Sequence, residues 1–207
     1  MPNHKSVLVI GLGYFGQAVA ESLTEMGHQV MAVDRDERIV DQLKGRIRHV
    51  ACLDATDEES LQRLDIGDFD AVVVGVGTDL GDSVLITSLL KELGARYIIA
   101  KAVTDRQYQI LKLVGADEIV FPERDIGRRL AHRLTSPRMI GEFLELGHEH
   151  CIEEIRAPAW VDGHSLRELR LRSDYGLSVI AIRRDEQIIV NPEADQVLRK
   201  GDRLIVI

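Results

Sequence analysis

Short apolar runs alternate with amphipathic stretches along the first two thirds of the chain. Six runs of four or five residues, typical of buried strands, cover 6–10, 30–33, 48–51, 71–74, 97–100 and 118–121. Between them, apolar residues recur at helical spacing, as at Phe15, Val19 and Met26, and Thr56 and Glu59 have the spacing of a capping box. The alternation predicts an α/β fold with a Rossmann-type, doubly wound parallel sheet that carries helices on both faces.

The pattern changes after the sixth run. A basic helix is predicted over 124–134, with Ile126 and Leu130 on its apolar face, and Ser136–Pro137 interrupts it. The apolar segment 139–146 predicts a further short helix. We expect this region to act as a connector and hinge, whose apolar face packs either on a partner or on its own domain.

From Cys151 onward the pattern is rich in alternating, strand-like segments. It predicts strands at 151–156, 178–183, 187–190 and 203–207, with one short helix at 165–171. Fewer than 60 residues supply only a small core, so we expect this unit to dimerise or dock. The predicted domains are a sheet domain at 1–134, a helical connector at 135–150 and a small α+β domain at 151–207.

A glycine-rich turn follows the first strand. Gly11, Gly13 and Gly16 form a G-x-G-x-x-G motif, and Asp34 ends the second strand 18 residues beyond Gly16. In such a turn the first glycine allows the tight bend, the second lets a pyrophosphate approach, and the third lets the helix pack on the strand. The helix N-terminus attracts an anion, and the carboxylate can bind ribose hydroxyls. The motif predicts an adenine-nucleotide site, with a chance glycine loop as the alternative.

Ligands of such sheets bind at the carboxyl ends of the strands, which supplies further candidates. They are Tyr14 and Phe15 in the first turn, Arg35 and Asp36, then Asp54, Ala55 and Thr56, then Gly75, Val76 and Gly77, and finally Lys101 and Glu123. Plainer roles stay open: a helix cap or surface residue at Asp36, turn formers at Asp54 and the glycines, a solvated strand end at Lys101 and a first-turn carboxylate at Glu123.

Composition and charge argue against several classes of protein. A net charge of −8 and a pI of about 5.4 are unlike a nucleic-acid-binding surface, and no helix-turn-helix pattern is present. The two cysteines, Cys52 and Cys151, lie far apart and lack metal-site spacing. No apolar run approaches the roughly 20 residues that cross a bilayer. An NAD-dependent oxidoreductase of a small substrate is the alternative function, but no catalytic frame surrounds the histidines, so we expect no enzyme.

The ordered motifs resemble the regulatory subunits of Trk/Ktr-type potassium uptake systems, also called RCK or Trk-A proteins. The resemblance covers nearly all of the chain. It rests on the glycine turn, Val33–Asp34, Asp54–Thr56, Gly75–Gly77, Ala100–Ala102 and Pro122–Glu123, and later on Gly163–Leu166, Gly176–Arg183, Asn191–Pro192 and Gly201–Ile207.

The resemblance implies a nucleotide-sensing regulator that gates a separate potassium-conducting membrane subunit. Such regulators form dimers and an octameric ring on the cytoplasmic face of the cell membrane, held there by the partner. Binding of ATP against ADP, or NADH against NAD, shifts the ring between conformations. No nucleic acid is expected as a partner.

The family pattern also implies roles for the candidate residues. Asp34 would hold ribose, Ala55 and Thr56 would lie near adenine, and Gly13, Val76 and Gly77 would line the phosphates. Lys101 would approach the charge of the nucleotide, and Glu123 would lie near the phosphates together with a bound cation.

Two further points follow from the resemblance. Many relatives carry an arginine where this chain has Tyr14, and a neutral group binds phosphate about half as strongly as a charged one. We therefore expect poor discrimination of ATP from ADP, or a preference for a dinucleotide. Some relatives bind cyclic di-AMP in the C-terminal domain, where Ile182, Arg183, Asn191 and Pro192 are the matching candidates here.

Overall fold

The computed structural model describes residues 4–77, 79–135, 139–145 and 151–207. The chain divides into two compact units, Met1–Asp125 and Ile126–Ile207. Within the described part, no helix is both long enough and apolar enough to cross a membrane.

The first unit alternates strands with helices, as the sequence predicts. Its elements are β1 (Ser6–Ile10), α1 (Tyr14–Glu25), β2 (Gln29–Asp34), α2 (Glu37–Leu43), β3 (His49–Cys52), α3 (Glu58–Gln62), a 3₁₀ turn (Ile66–Asp68), β4 (Ala71–Val74), α4 (Leu80–Glu92), β5 (Ile98–Lys101), α5 (Asp105–Leu113) and β6 (Glu118–Val120). Helix α6 (Pro122–Thr135) contains the boundary between the units.

The strands form one parallel sheet in the order β3-β2-β1-β4-β5-β6. Successive side chains of β1 point to opposite faces, so Leu8 and Ile10 belong to one buried cluster and Val7 and Val9 to another. Helices cover both faces of the sheet, which explains why consecutive residues 7–10 of this strand are all apolar. The predicted doubly wound parallel sheet is confirmed, and its carboxyl edge collects the turns in which the candidates lie.

The second unit is a small α+β domain. It contains β7 (Met139–Glu145), β8 (Cys151–Arg156), a 3₁₀ turn (Ala159–Val161), α7 (Leu166–Leu169), α8 (Leu171–Tyr175), β9 (Val179–Arg184), β10 (Gln187–Val190) and β11 (Arg203–Val206). Its strands pair antiparallel in the order β10-β9-β11-β8-β7. A core that includes Ile182, Leu198 and Leu204 packs under the sheet. Beside it, the fully buried Asp202 accepts two hydrogen bonds from the Arg184 guanidinium, at 2.7 and 2.8 Å.

Two predicted helices differ from the structure. Residues 139–145 of the predicted connector helix form β7, because a seven-residue apolar segment has no decisive periodicity and pairing with β8 satisfies its backbone. The remainder of that helix, and Ser136–Pro137, lie outside the described residues. The single helix predicted at 165–171 is divided into α7 and α8 by Arg170, whose φ of +45° is left-handed.

The predicted capping box is also wrong. The Thr56 main-chain N–H and hydroxyl both donate to Asp54 Oδ1, at 2.9 and 2.7 Å, so Thr56 belongs to the preceding turn. The next residue, Asp57, caps α3 by accepting a hydrogen bond from the Ser60 N–H at 3.1 Å. The N-cap of α3 is therefore one residue later than the sequence pattern indicates.

Candidate functional site

A cavity of about 480 Å³ lies at the carboxyl ends of the parallel strands of the first unit. Its size is within the usual range for small-molecule sites. Fourteen of the residues singled out from the sequence line it: Gly11, Gly13, Tyr14, Phe15, Asp34, Arg35, Asp54, Ala55, Thr56, Gly75, Val76, Gly77, Lys101 and Glu123. Gly16 and Asp36 are candidates that do not line it.

The three motif glycines differ in what excludes a side chain. A Cβ at Gly16 would lie 1.9 Å from the Gly11 carbonyl oxygen, so this glycine is needed for packing. Gly11 has φ +85°, and its Cβ would lie 2.7 Å from Val76 Cγ2. At Gly13, by contrast, a Cβ would meet no heavy atom within 4 Å among the described residues. The protein thus requires glycine at positions 11 and 16, whereas position 13 opens onto unfilled space.

Helix α1 begins at this open space with nothing to cap it. Its N-cap is Gly13, which makes no side-chain capping hydrogen bond, and no acidic residue lies in the first turn. The first N–H groups of a helix carry partial positive charge and lack intrahelical partners. A phosphate group could accept their hydrogen bonds, which makes this end of the cavity suited to an anion.

Asp34 connects the loops on either side of the cavity. Its Oδ2 accepts a hydrogen bond from the Leu12 N–H at 2.6 Å, and its Oδ1 accepts one from the Asp36 N–H at 2.8 Å. These bonds fix the carboxylate at the end of β2 and on the cavity wall. Since each carboxylate oxygen has two lone pairs, it can still accept hydrogen bonds from a ligand hydroxyl.

The second glycine turn lies against the first one. The Gly75 N–H donates to the Ile10 carbonyl at 2.7 Å, and a Cβ at Gly75 would lie 2.7 Å from the Gly11 oxygen. Glycine is therefore required at 75 by the approach of two main chains. A Cβ at Gly77 would instead lie 3.1 Å from Cε of Lys101, which is a flexible side chain.

The turn after β3 supplies a fixed polar group. The Thr56 hydroxyl and N–H both donate to Asp54, and these bonds, with the hydroxyl contributing most, hold the pKa of that carboxyl below its ordinary value. Ala55 is buried beside them and also lines the cavity. Across the opening, the Arg35 guanidinium donates to Asp82 Oδ2 at 3.0 Å.

A lysine reaches the cavity from the end of β5. Lys101 Nζ donates to Glu123 Oε1 at 2.5 Å and lies 5.9 Å from the centre of the Phe15 ring. The hydrogen bond from Lys101 lowers the pKa of the Glu123 carboxyl below its usual range. Only 14% of the lysine side chain is exposed, against 64% for Glu123, so the cation is held near the cavity while the carboxylate faces solvent. Lys101 is therefore not simply a solvated strand end.

The residues needed for a metal site are not gathered here. No group of three or more histidine, cysteine or acidic side chains that could hold a metal ion occurs among the described residues. The cation expected at Glu123 stays a prediction. Asp36 takes the plainer of its two roles, because it caps α2 by accepting a hydrogen bond from the Arg38 N–H at 2.9 Å.

Sequence reasoning missed part of the cavity wall. The additional lining residues are mostly apolar: Ile10, Val33, Ile39, Leu53, Asp82 and Ile86. Leu53 directly follows β3, and Ile10 and Val33 end or nearly end their strands, so their positions were available as a signal. Asp82 and Ile86 come from the first turns of α4 and depend on how that helix packs.

The four candidates of the C-terminal unit differ in accessibility. The Ile182 side chain is fully buried in the core, so only its main chain could contact a ligand. Arg183 Nε lies 3.2 Å from Glu154 Oε1. Asn191 has a left-handed φ of +50° in the turn that ends β10 and precedes Pro192. A second ligand at these residues stays a prediction.

Comparison with known proteins identifies relatives over the whole chain. The TrkA-N domain model matches residues 7–122, and the TrkA-C domain model matches residues 152–207. The chain is 41% identical over 203 residues to the Ktr system potassium uptake protein C of Bacillus subtilis, covering 98% of this chain and 91% of that protein. It is 35% identical to the Ktr system potassium uptake protein A of Vibrio alginolyticus, covering 98% of this chain and 92% of that protein.

The fold also has solved counterparts. A GsuK channel bound to NAD superposes with a TM-score of 0.67 at 19% sequence identity, covering 99% of this chain. This chain spans only 37% of that channel chain. The TrkA-N domain of the inner membrane protein ybaL from Escherichia coli superposes with a TM-score of 0.56 at 20% identity, covering 65% of this chain and 99% of that domain.

Proposed function

The chain belongs to the protein family that joins a TrkA-N domain to a TrkA-C domain, and from this premise we propose that it is a nucleotide-sensing regulatory subunit of a potassium uptake system. It covers 91% and 92% of two Ktr relatives, which are named as potassium uptake proteins. Its partner is a membrane subunit that conducts potassium. The proposed location is the cytoplasmic face of the cell membrane, through that partner.

One observation supports the nucleotide site above all others: the unfilled space at Gly13, beside the uncapped start of α1. Open space beside the free N–H groups of a helix N-terminus is suited to a diphosphate. In our proposal Asp34 binds ribose, the apolar wall around Ala55 and Leu53 receives the adenine, and Lys101 neutralises phosphate charge. The ligand class is an adenine nucleotide, with NAD or NADH and ATP or ADP as members.

Tyr14 bears on which nucleotide binds best. It is the first residue of α1, lies on the cavity rim and is 98% exposed. An exposed neutral phenol supplies no fixed charge for a terminal phosphate. We propose that the site discriminates weakly between ATP and ADP, or prefers a dinucleotide. Titration calorimetry with ATP, ADP, NAD and NADH tests this, and strong selectivity for ATP would overturn it.

The proposed mechanism couples binding to shape. A ligand shifts a protein between two conformations only by its difference in affinity for them. A tenfold difference corresponds to about 1.4 kcal/mol per site, and contributions from several protomers of one assembly add. The Lys101–Glu123 pair is suited to such coupling, because it joins the cavity to the first turn of α6.

Self-association is proposed through the apolar face of α6. Ile126 and Leu130 are 61% and 47% exposed on this helix. Dimers built on this face would assemble further into an octameric ring. Replacing both residues by glutamate should leave nucleotide binding intact and abolish assembly. Analytical ultracentrifugation measures this, and an undiminished oligomer would refute the assignment of the face.

The decisive experiment measures potassium uptake in cells that lack their own uptake regulators. Wild-type protein, produced with its membrane subunit, should support uptake, and a Gly13→Ala variant should support less, whereas Gly45→Ala should behave as wild type. Gly45 is a matched control because its Cβ would also meet nothing within 4 Å and it lies outside the cavity lining. Equal uptake by all three proteins would contradict the proposal.

Two further arms test the finer alternatives. Steady consumption of NADH with small carbonyl compounds would favour an oxidoreductase over a regulator. Titration with cyclic di-AMP tests the predicted second ligand of the C-terminal unit. Arg183→Ala should weaken that binding, whereas Arg172→Ala, an exposed arginine of α8, is the control.

A further inference from the structure

A second cavity, of about 620 Å³, lies at the opposite edge of the six-stranded sheet. We call it the amino-edge cavity, because the first residues of β1, β2 and β3, namely Ser6, Gln29 and His49, lie on its wall. It shares no residue with the nucleotide cavity described above. Nothing in the proposed regulation uses it.

The charged groups of this cavity are mostly basic. Arg48 and Arg63 line it, and neither makes an ion pair or a side-chain hydrogen bond within the described part of the chain. Asp65 is the single carboxylate among the lining residues. In a chain with a net charge of −8, these two exposed, unpaired guanidinium groups give the cavity a local positive charge.

Neutral donors accompany the two arginines. His28 Nδ1 accepts a hydrogen bond from the Lys5 N–H at 3.3 Å, so in the neutral ring Nε2 carries the proton and is a donor. His49 lines the same cavity. A guanidinium group can donate two parallel hydrogen bonds to a phosphate, and an imidazole N–H group can add a single hydrogen bond.

The floor of the cavity is apolar. Met31, Leu64 and Phe69 line it and pack, partly buried, against the core cluster on one face of the sheet. An inorganic anion would leave this surface unused, whereas a molecule with a flat ring could cover it. Small-molecule sites commonly combine such a floor with a few polar groups that fix orientation.

We propose that the amino-edge cavity binds a small organic phosphate, with its phosphate group on Arg48 and Arg63 and its ring over Phe69. The competing explanation is structural. Helices α1 and α3 end at this edge, Arg63 is the C-terminal cap of α3, and cations stabilise such ends without any ligand. If the arginines bind the phosphate, removing them weakens ligand binding. If they only stabilise the helix ends, removing them leaves ligand binding unchanged.

The test uses AMP as the probe, because it carries one phosphate and one flat ring. Calorimetry on the full chain carrying Gly13→Ala, which disables the first cavity, should still detect AMP binding. Adding Arg48→Ala/Arg63→Ala should weaken that binding at least about tenfold, since two charged contacts are lost. The control, Arg106→Ala/Arg172→Ala, removes the same charge from exposed arginines outside the cavity and should bind as wild type.

Each other outcome overturns the proposal. Equal loss of binding in both double variants would assign the effect to net charge. Reduced thermal stability of Arg48→Ala/Arg63→Ala with unchanged AMP binding would assign the arginines to the helix ends alone. Inorganic phosphate that binds as tightly as AMP would show that the apolar floor contributes nothing. Because Gly13→Ala is included, failure here is distinguishable from failure of the nucleotide site.

Discussion

Replacing Gly13 by alanine should separate folding from ligand binding. Gly13 has φ −66° and ψ −176°, which alanine adopts freely, and the added Cβ would meet no heavy atom of the described residues within 4 Å. The free energy of unfolding should therefore change by less than about 1 kcal/mol, the combined scale of glycine-to-alanine and N-cap effects. An intact fold is the condition for interpreting any change in binding.

The effect on nucleotide affinity should be larger. A phosphate oxygen that accepts a main-chain N–H hydrogen bond lies about 2.9 Å from the nitrogen. In our proposal the phosphate occupies the space beside Gly13 that the new methyl group would fill. A hydrogen bond to a charged group contributes about 1.5–3 kcal/mol. Losing one such bond lowers affinity about tenfold to a hundredfold.

Calorimetry gives the affinity, and thermal unfolding without ligand gives the stability. Gly45→Ala serves as the control, because it adds the same methyl group to open space away from the cavity. If Gly13→Ala binds every adenine nucleotide as tightly as this control does, the first turn does not hold the phosphates and the assignment of the cavity is wrong.

Three other variants address separate features. Gly16→Ala puts a Cβ 1.9 Å from the Gly11 oxygen and should cost about 1–3 kcal/mol of stability; an unchanged urea midpoint would contradict this. Burial raises the pKa of Asp202, but hydrogen bonds, chiefly from Arg184, outweigh that effect and hold the pKa below its ordinary 3.8. The ionised carboxylate therefore stabilises the fold above pH 3.8, and this contribution is lost as the pH falls further. Asp202→Asn should therefore cost about 3 kcal/mol at neutral pH, and its difference from wild type in denaturant unfolding should shrink in acid; a pH-independent difference would refute the linkage. Lys101→Met should weaken ATP binding about tenfold in calorimetry through loss of a charged contact, and unchanged affinity would exclude the lysine from the site.

The sequence predicted the sheet well because its strands are buried on both faces. Such strands are unbroken apolar runs, and parallel pairing brings all of their carboxyl ends to one edge. The positions of Asp34, Gly75 and Lys101 on one cavity therefore follow from topology alone. Fourteen of the expected residues line that cavity for this reason.

Features that depend on contacts with other residues or elements were not predictable in this way. Thr56 and Asp57 are both good helix caps, and the choice between them depends on Asp54, which engages Thr56 in the preceding turn. Segment 139–145 becomes a strand because β8 is available to pair with it. Asp82 reaches the cavity only because α4 packs where it does.

The position of Asp34 has a consequence for reading the evolution of such chains. Each of its oxygens accepts one main-chain hydrogen bond, from Leu12 or Asp36, so the carboxylate joins two loops whether or not a ligand is bound. A related chain that bound no nucleotide would still lose the connection between these loops if the acid were replaced. An aspartate at this position is therefore explained by loop structure alone, whereas the glycine at position 13 has no such structural explanation.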